Sequence, residues 1–272
     1  MNTTPLTRRS ILGTTAALLA LSAGFTALPA AAQTAVERGL EIAVEADRRD
    51  IGFGDTKANM TMTLKSAQGE TATRSLRIRT LEQTDDGDKS MIIFDTPGDV
   101  KGTAFLSFTH KQGADDQWLY LPSLKRVKRI SQSNQSGPFV GSEFAYEDLS
   151  SQEVEKYTYK YVRDESFDGR DHFVIETDPV NPKSGYSRQL VYFDKEHYRP
   201  WKIEFFDRRG SHMKTLTVSG YKQYLGKYWR ADRQDMVNHL TGKSTTLSFG
   251  DYVFNNGFKD RDFKQNALKK AR

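Results

Sequence analysis

The stretch that decides the fold is Met60-Thr61-Met62-Thr63-Leu64-Lys65, in which apolar and polar side chains alternate. Successive side chains of a β-strand point to opposite faces, so this period of two predicts a strand with one buried face and one face in water. The same period recurs over residues 76–79, 157–161 and 201–205. The chain is therefore expected to be mainly β.

Turn signals that contain glycine separate these runs at short intervals. They are Gln68-Gly69, Asp86-Gly87, Pro97-Gly98, Asp168-Gly169, Arg209-Gly210, Leu225-Gly226, Thr241-Gly242 and Asn256-Gly257. Short alternating runs joined by such turns predict an antiparallel meander of roughly ten or eleven strands. No composition break or low-complexity linker divides the chain, so residues 33–272 are expected to form a single domain.

Three segments depart from the strand pattern. Residues 36–50 carry apolar side chains at helical spacing, which predicts one short amphipathic helix whose apolar positions include Val36, Leu40, Ala43 and Val44. Residues 260–272 are expected to form a basic C-terminal helix or tail. Residues 131–151 are rich in Ser, Gly and Asn but also contain large aromatic side chains. These are Phe139, Phe144 and Tyr146.

A long antiparallel sheet is expected to curl, because strands twist. A curled sheet of about eight or more strands can enclose a cavity of ligand size. A helix, the protein's own side chains or a lipid could fill its concave side. The nature of that filling decides the function.

The first 32 residues have the order of a secretory signal peptide. Arg8 and Arg9 are the only charged residues among them, and an Ala/Leu-rich run over residues 11–28 ends in small residues. We expect cleavage after Ala32; the alternative is an uncleaved anchor helix. The two arginines also resemble part of a twin-arginine signal, so the general secretory and twin-arginine routes both stay open.

Composition excludes several classes of protein. The 272 residues include 40 Lys and Arg against 35 Asp and Glu, and without the first 32 residues the net charge is +3. Such a mild excess is not a nucleic-acid signature. Because the chain has no Cys, structural disulfides, Cys-based zinc sites, iron–sulfur clusters, thiol catalysis and lipid attachment to cysteine are excluded. We expect a soluble periplasmic protein.

Motifs for catalysis or metal binding are weak. The five histidines show no metal-ligand spacing, and residues 33–272 contain no Gly-x-Ser-x-Gly elbow. Gly242-Lys243-Ser244 lacks the upstream glycine of a phosphate-binding loop. The acidic residues near Asp168-Gly169 are explained better by a turn than by a cation site. The sequence therefore predicts no catalytic residue, no metal and no cofactor, and a protein that is not an enzyme.

Residues 115–130 combine aromatic side chains, Pro122 and a dense cluster of cations. The cations are Lys125, Arg126, Lys128 and Arg129. One interpretation is a hairpin with Pro122 at the bend and a solvated basic strand. The other is a docking face for anionic lipid head groups or an acidic protein partner. The sequence leaves the two interpretations equal.

Four blocks resemble the signature of a known family. They are residues 47–55, 98–106, 116–122 and 136–149. In this order they resemble the outer-membrane lipoprotein-sorting protein family, the LolA/LolB-like periplasmic proteins, which are often associated with transporters of the resistance–nodulation–division type. The resemblance implies a half-open antiparallel β-barrel wrapped around short helices that lid a hydrophobic cavity. It also implies a lipid or lipoprotein acyl chain as cargo, but it assigns no cargo-contact residue.

Carrying an acyl chain through water requires an apolar pocket, since each buried methylene contributes roughly 0.8 kcal/mol. The candidate cavity-lining residues are Met60, Met62, Leu64, Leu76, Ile78, Trp118 and Tyr120. Methionine and aromatic side chains adapt to irregular apolar cargo, although the same residues could simply form a core. Residues 138–149 are the candidate lid, with Phe139, Phe144 and Tyr146 as its apolar side chains.

Three functional hypotheses follow. The first is a monomeric periplasmic carrier that binds lipid or lipoprotein acyl chains, transfers them between envelope components and contacts membrane surfaces transiently. The second is a non-carrying accessory module of an inner-membrane transporter of the resistance–nodulation–division type. The third, which has the least support, is a hydrolase with a non-standard site. The sequence does not identify the lipid, the partner, the direction of transfer or the oligomeric state.

Overall fold

Fourteen strands form one antiparallel sheet in the computed structural model, which describes Met1 and residues 33–270. The strands are β1 (Asp55–Lys65), β2 (Thr71–Leu81), β3 (Lys89–Thr96), β4 (Ala104–Phe108), β5 (Asp116–Leu121), β6 (Arg126–Ile130), β7 (Tyr157–Phe167), β8 (Arg170–Pro179), β9 (Tyr186–Asp194), β10 (Pro200–Asp207), β11 (His212–Tyr224), β12 (Tyr228–Asn238), β13 (Ser244–Phe249) and β14 (Val253–Phe254). The expected signal peptide lies, apart from Met1, outside the described residues.

The sheet is half-open, as expected. Its strands follow the order β6-β5-β4-β3-β2-β1-β13-β12-β11-β10-β9-β8-β7, and β14 pairs with β1. Among the described residues, the two end strands β6 and β7 each pair on one side only. The sheet has more strands than predicted, because some connections, such as residues 195–199 between β9 and β10, carry no glycine turn signal.

The chain enters the sheet at its centre and returns to it. Strands β1 to β6 run outward to one edge, and β7 to β13 run back from the other edge until β13 pairs with β1. Consecutive strands are neighbours from β1 to β6 and from β7 to β13, whereas β6 and β7 lie at opposite edges of the sheet. Residues 131–156 must therefore span from one edge of the sheet to the other.

Apolar side chains of β1–β5 and β9–β13 meet in one group, which we call the central cluster. Side chains of ten strands can meet in this way only if the sheet curls around them, so the central cluster marks the concave side. The buried strand residues of this cluster are Met60, Met62, Leu76, Ile92, Phe94, Phe105, Leu119, Tyr186, Phe205, Leu216, Val218, Ala231, Met236 and Leu247.

One long helix, α1 (Ala35–Asp50), precedes the sheet. It begins with a capping box, in which the Glu37 backbone N–H donates to Thr34 Oγ1 at 3.2 Å and the Thr34 backbone N–H donates to the Glu37 carboxylate at 2.8 Å. These reciprocal bonds satisfy backbone donors that lack helical partners. The predicted helix therefore forms within one residue of its expected start.

The buried face of α1 differs from the predicted one. Gly39, Ile42 and Ala43 are buried, whereas the predicted apolar positions Val36, Leu40 and Val44 are exposed. The cause is backbone packing: a Cβ on Gly39 would lie 2.7 Å from backbone atoms of Lys160 and Tyr161 on β7. Only glycine allows so close an approach, and its position decides which face of the helix meets the sheet.

The C-terminal segment covers the opposite face of β3–β5. Phe263 and Leu268 are fully buried there, in a second cluster with Met91, Ile93 and Leu106. The segment expected to be a basic C-terminal helix or tail contains one short α-helical turn, α2 (Gln265–Leu268), and these two apolar side chains hold it against the sheet. No helix in the described part of the chain has the length and apolar character needed to cross a bilayer.

Candidate functional site

Residues 131–151, which we call the plug segment, occupy the concave side of the sheet. Phe139 and Phe144 are 0% and 2% exposed and belong to the central cluster. The ring centroid of Phe139 lies 5.3 Å from that of Phe105 on β4 and 5.5 Å from that of Tyr146. The candidate lid residues are therefore inserted into the space that cargo was expected to fill, rather than lying over it.

The plug segment is bonded through its backbone to itself. The Phe139 N–H donates to the Phe144 carbonyl at 2.7 Å, and the Tyr146 N–H donates to the Gly137 carbonyl at 3.1 Å. In the part of the chain that the structure describes, every backbone–backbone hydrogen bond of residues 132–149 has both partners in the plug segment. The plug can therefore leave the sheet without breaking a sheet ladder.

Side chains attach the plug to the strands. Arg74 Nη1 on β2 donates to the Val140 carbonyl at 2.6 Å, and the Glu143 N–H donates to Thr245 Oγ1 on β13 at 2.9 Å. Asn238 Nδ2 on β12 donates to the Glu143 carboxylate at 2.7 Å. Val140 itself has φ +48°, a left-handed conformation that is strained for a β-branched residue. These contacts hold the plug in a conformation that its own backbone does not favour.

A buried ion pair is a further attachment of the plug. Lys214 Nζ on β11 lies 3.1 Å from Asp148 Oδ2 and 3.0 Å from the Glu143 carbonyl oxygen. The hydroxyl of Tyr186 on β9 donates to Asp148 Oδ1 at 2.7 Å. Because both charges are removed from water, loss of either partner would leave the other charge buried and uncompensated.

Glu147 adds a second buried carboxylate beside Asp148. Its side chain accepts hydrogen bonds from Ser184 Oγ at 2.8 Å and from the Gly185 N–H at 2.9 Å. Burial raises the pKa of Glu147, and the neighbouring charge of Asp148 raises it further. Two adjacent acidic residues thus attach the plug to the half of the sheet that contains β9 and β11.

Five of the seven candidate cavity-lining residues lie on the concave side. Met60, Met62 and Leu76 are buried in the central cluster, and Leu64 and Ile78 pack against it. Since Phe139 and Phe144 belong to the same cluster, these residues line the place that the plug occupies.

Trp118 and Tyr120 do not line the concave side. Both belong to the cluster on the opposite face, under the C-terminal segment. Leu119 and Leu121, which alternate with them along β5, face the concave side instead. Both faces of β5 carry apolar side chains, and the sequence did not show which of the two faces is concave.

The candidate docking residues lie on the predicted hairpin. Pro122–Leu124 form its turn, and β6, which follows, is one edge of the sheet. Lys125, Arg126, Lys128 and Arg129 are all exposed, and Arg129 also forms an ion pair with Asp116.

The residues that attach the plug, above all Lys214, were not predicted from the sequence. Along β11, Lys214 is in phase with Leu216 and Val218, which point into the central cluster. A lysine at an inward position of an alternating strand requires a buried partner. That signal was present in the sequence, but the partner is 66 residues away in the chain.

The chain is similar to several known proteins. A family model described as "Uncharacterized protein" matches residues 86–270. A solved domain from Vibrio parahaemolyticus, named for outer membrane lipoprotein sorting, is 58% identical with a TM-score of 0.85, over 86% of this chain and 99% of that one. The chain belongs to the outer-membrane lipoprotein-sorting protein family. The family resemblance of the four sequence blocks is thereby confirmed.

More distant structures also share the LolA-like fold of this family. A DUF1329 family protein from Desulfovibrio piger is 27% identical with a TM-score of 0.82, over 87% of this chain and all of that one. A LolA superfamily protein from Nitrosomonas europaea has 21% identity and a TM-score of 0.68, over 87% and 100% of the two chains, and shows the fold alone. No curated protein matches the chain.

Proposed function

We propose that this protein is a periplasmic carrier that binds lipid or lipoprotein acyl chains and transfers them between envelope components. The acyl chain binds on the concave side of the sheet, in the place that the plug segment occupies. The observation that carries this proposal is the plug itself: apolar side chains fill the concave side, on a segment whose backbone–backbone hydrogen bonds over residues 132–149 all stay within it. The named role of the Vibrio relative in lipoprotein sorting supports the same function.

The exchange of plug for cargo is energetically reasonable. Removing three aromatic side chains from an apolar environment costs about 1.5–3 kcal/mol each, whereas an acyl chain with about fifteen methylenes gains about 12 kcal/mol on burial. Cargo must also replace the polar attachments of the plug and lose its own conformational freedom. These costs reduce the net gain from burying the acyl chain, as a carrier that must both load and release requires.

An engineered crosslink tests whether the plug must move. Because the chain has no Cys, Glu143→Cys with Thr245→Cys introduces a single disulfide between the plug and β13. A matched control, Pro138→Cys with Ala145→Cys, crosslinks the plug to itself at its β-bridge. Binding of a fluorescent fatty acid to residues 33–272 is measured in the oxidised and reduced forms.

We expect the first disulfide to abolish binding and reduction to restore it, while the control binds in both forms. Equal binding by the oxidised first variant would overturn the exchange of plug for cargo. Failure of the wild-type protein to take up fatty acid, with no lipid in mass spectra of extracts of protein purified from the periplasm, would overturn the carrier function. This absence of lipid binding would favour the alternative function, a non-carrying accessory module of a resistance–nodulation–division transporter.

A further inference from the structure

An exposed leucine stands at the tip of the β5–β6 hairpin. Leu124 is 55% exposed, and Lys125, the next residue, has φ +48°, in the left-handed region, at the start of the returning strand. Arg126 and Lys128 on β6 are exposed as well. The tip therefore presents one apolar side chain beside three cations that point into solvent.

The β3–β4 turn adds to this surface. A Cβ on Gly102 would lie 3.3 Å from the side chain of Pro122, so this turn packs directly on the hairpin turn. Lys101, the preceding residue, is exposed. Asp99 is the acidic residue of the same turn. Four cations, Lys101, Lys125, Arg126 and Lys128, thus share this corner of the molecule with Asp99, while Arg129 is already paired with Asp116.

The cationic corner lies next to the plug. Val100 and Leu121 pack against the central cluster, as does Val140 of the plug. Val100 is followed in the chain by Lys101, and Leu121 is followed by the hairpin turn Pro122–Leu124. The charged surface therefore begins at the rim of the site proposed for the acyl chain.

We propose that this corner docks on the surface of an anionic lipid membrane, with Leu124 inserted among the head groups. The negative surface potential of such a membrane attracts cationic side chains that lie within about a Debye length of the surface. An acidic protein would use the same charges, but the exposed leucine at the extreme tip favours a lipid surface, where an apolar side chain can leave water. Docking in this orientation places the plug next to the bilayer.

Vesicle co-sedimentation tests the proposal. Residues 33–272 are mixed with vesicles of phosphatidylglycerol or of phosphatidylcholine at low and high salt. The charge variant is Lys125→Glu/Arg126→Glu/Lys128→Glu, and its control, Lys65→Glu/Arg208→Glu/Arg209→Glu, makes the same change in net charge at exposed positions elsewhere. Leu124→Asp is compared with Leu240→Asp, since Leu240 is 58% exposed on another turn.

We expect the wild type to bind phosphatidylglycerol vesicles in a salt-sensitive way and phosphatidylcholine vesicles at least tenfold more weakly. The corner variant and Leu124→Asp should each lose at least tenfold in partitioning, and both controls less than twofold. Equal losses in the corner variant and its control, or no binding by the wild type, would overturn the proposal; the latter would favour an acidic protein partner. Fatty-acid binding by the corner variant should stay unchanged, which separates docking from the carrier function.

Discussion

Lys214 and Asp148 form a buried ion pair that joins strand β11 to the plug segment, with the Nζ and Oδ2 atoms 3.1 Å apart and the two side chains 6% and 7% exposed. Asp148 lies in the long connection between the sheet edges, whereas Lys214 lies on a strand inside the sheet. Their pairing therefore depends on the curl of the sheet, and it forms only when the plug is in place.

Substitution of Lys214 by Met should loosen the plug. The variant leaves the Asp148 carboxylate buried without a cation, which costs about 3–5 kcal/mol. Urea unfolding should show this loss, and hydrogen exchange of residues 136–149 should accelerate. The double variant Lys214→Met/Asp148→Asn should recover part of the stability, because no unpaired charge remains. Unchanged exchange in the plug would contradict the role assigned to this pair.

Replacement of Phe139 by Ala should weaken the plug and strengthen cargo binding. The truncation costs about 3–5 kcal/mol. If the plug competes with fatty acid for one site, a less stable plug increases the fraction of molecules whose site is open. The apparent affinity for fatty acid should therefore rise at least about tenfold. Calorimetry and fatty-acid titration measure the two effects.

Phe263→Ala is the matched control for Phe139→Ala. Phe263 is equally buried but lies on the opposite face of the sheet. We expect a similar loss of stability and an affinity for fatty acid within twofold of the wild type. An equal gain in affinity in both variants would indicate general loosening rather than competition.

Asp88→Asn should stabilise the protein at neutral pH. Burial raises the pKa of Asp88 to about 7, and the charges of Glu153, Glu82 and Asp50 contribute. Between pH 4 and 7 the folded state therefore holds a proton that the unfolded state has lost, so the Asp88 contribution to stability decreases as pH rises. Asn keeps the acceptor for the Gln83 N–H.

The stability of Asp88→Asn relative to wild type should rise from pH 4 to 7, by about 1.4 kcal/mol for each pH unit at most, and then level off. Urea unfolding at a series of pH values measures this. Asp85→Asn, at an exposed neighbouring position, should show no such trend. A constant difference between Asp88→Asn and wild type across this range would rule out the assigned pKa.

Gly39→Ala should destabilise the protein although alanine favours helices. At an exposed helical site the change would gain about 0.5–1 kcal/mol. Here the new Cβ would lie 2.7 Å from backbone atoms of Lys160 and Tyr161, so α1 must move away from β7. Thermal unfolding should show a lower Tm, whereas Val36→Ala on the exposed face should change it little. A higher Tm for Gly39→Ala would show that the helix can shift freely.

Much of the fold follows from local sequence. The four alternating runs lie in β1, β2, β7 and β10, and Asp168-Gly169 forms the predicted turn, with φ of +50° and +72°. Pro122 lies at the bend of the predicted hairpin. These features depend on neighbouring residues in the chain, whose side-chain period and backbone preferences are local properties.

Long-range packing decided the rest. The sequence by itself determined a mainly β chain, the extent of α1 and an aromatic segment that interrupts the strands. Only the tertiary structure decided that α1 buries Gly39, that Trp118 faces away from Met60, and that the aromatic segment fills the concave side. The physical reason is topological: the connection between the two edges of a curled sheet crosses its concave side, and its partners, such as Lys214 for Asp148, are brought close only by that crossing.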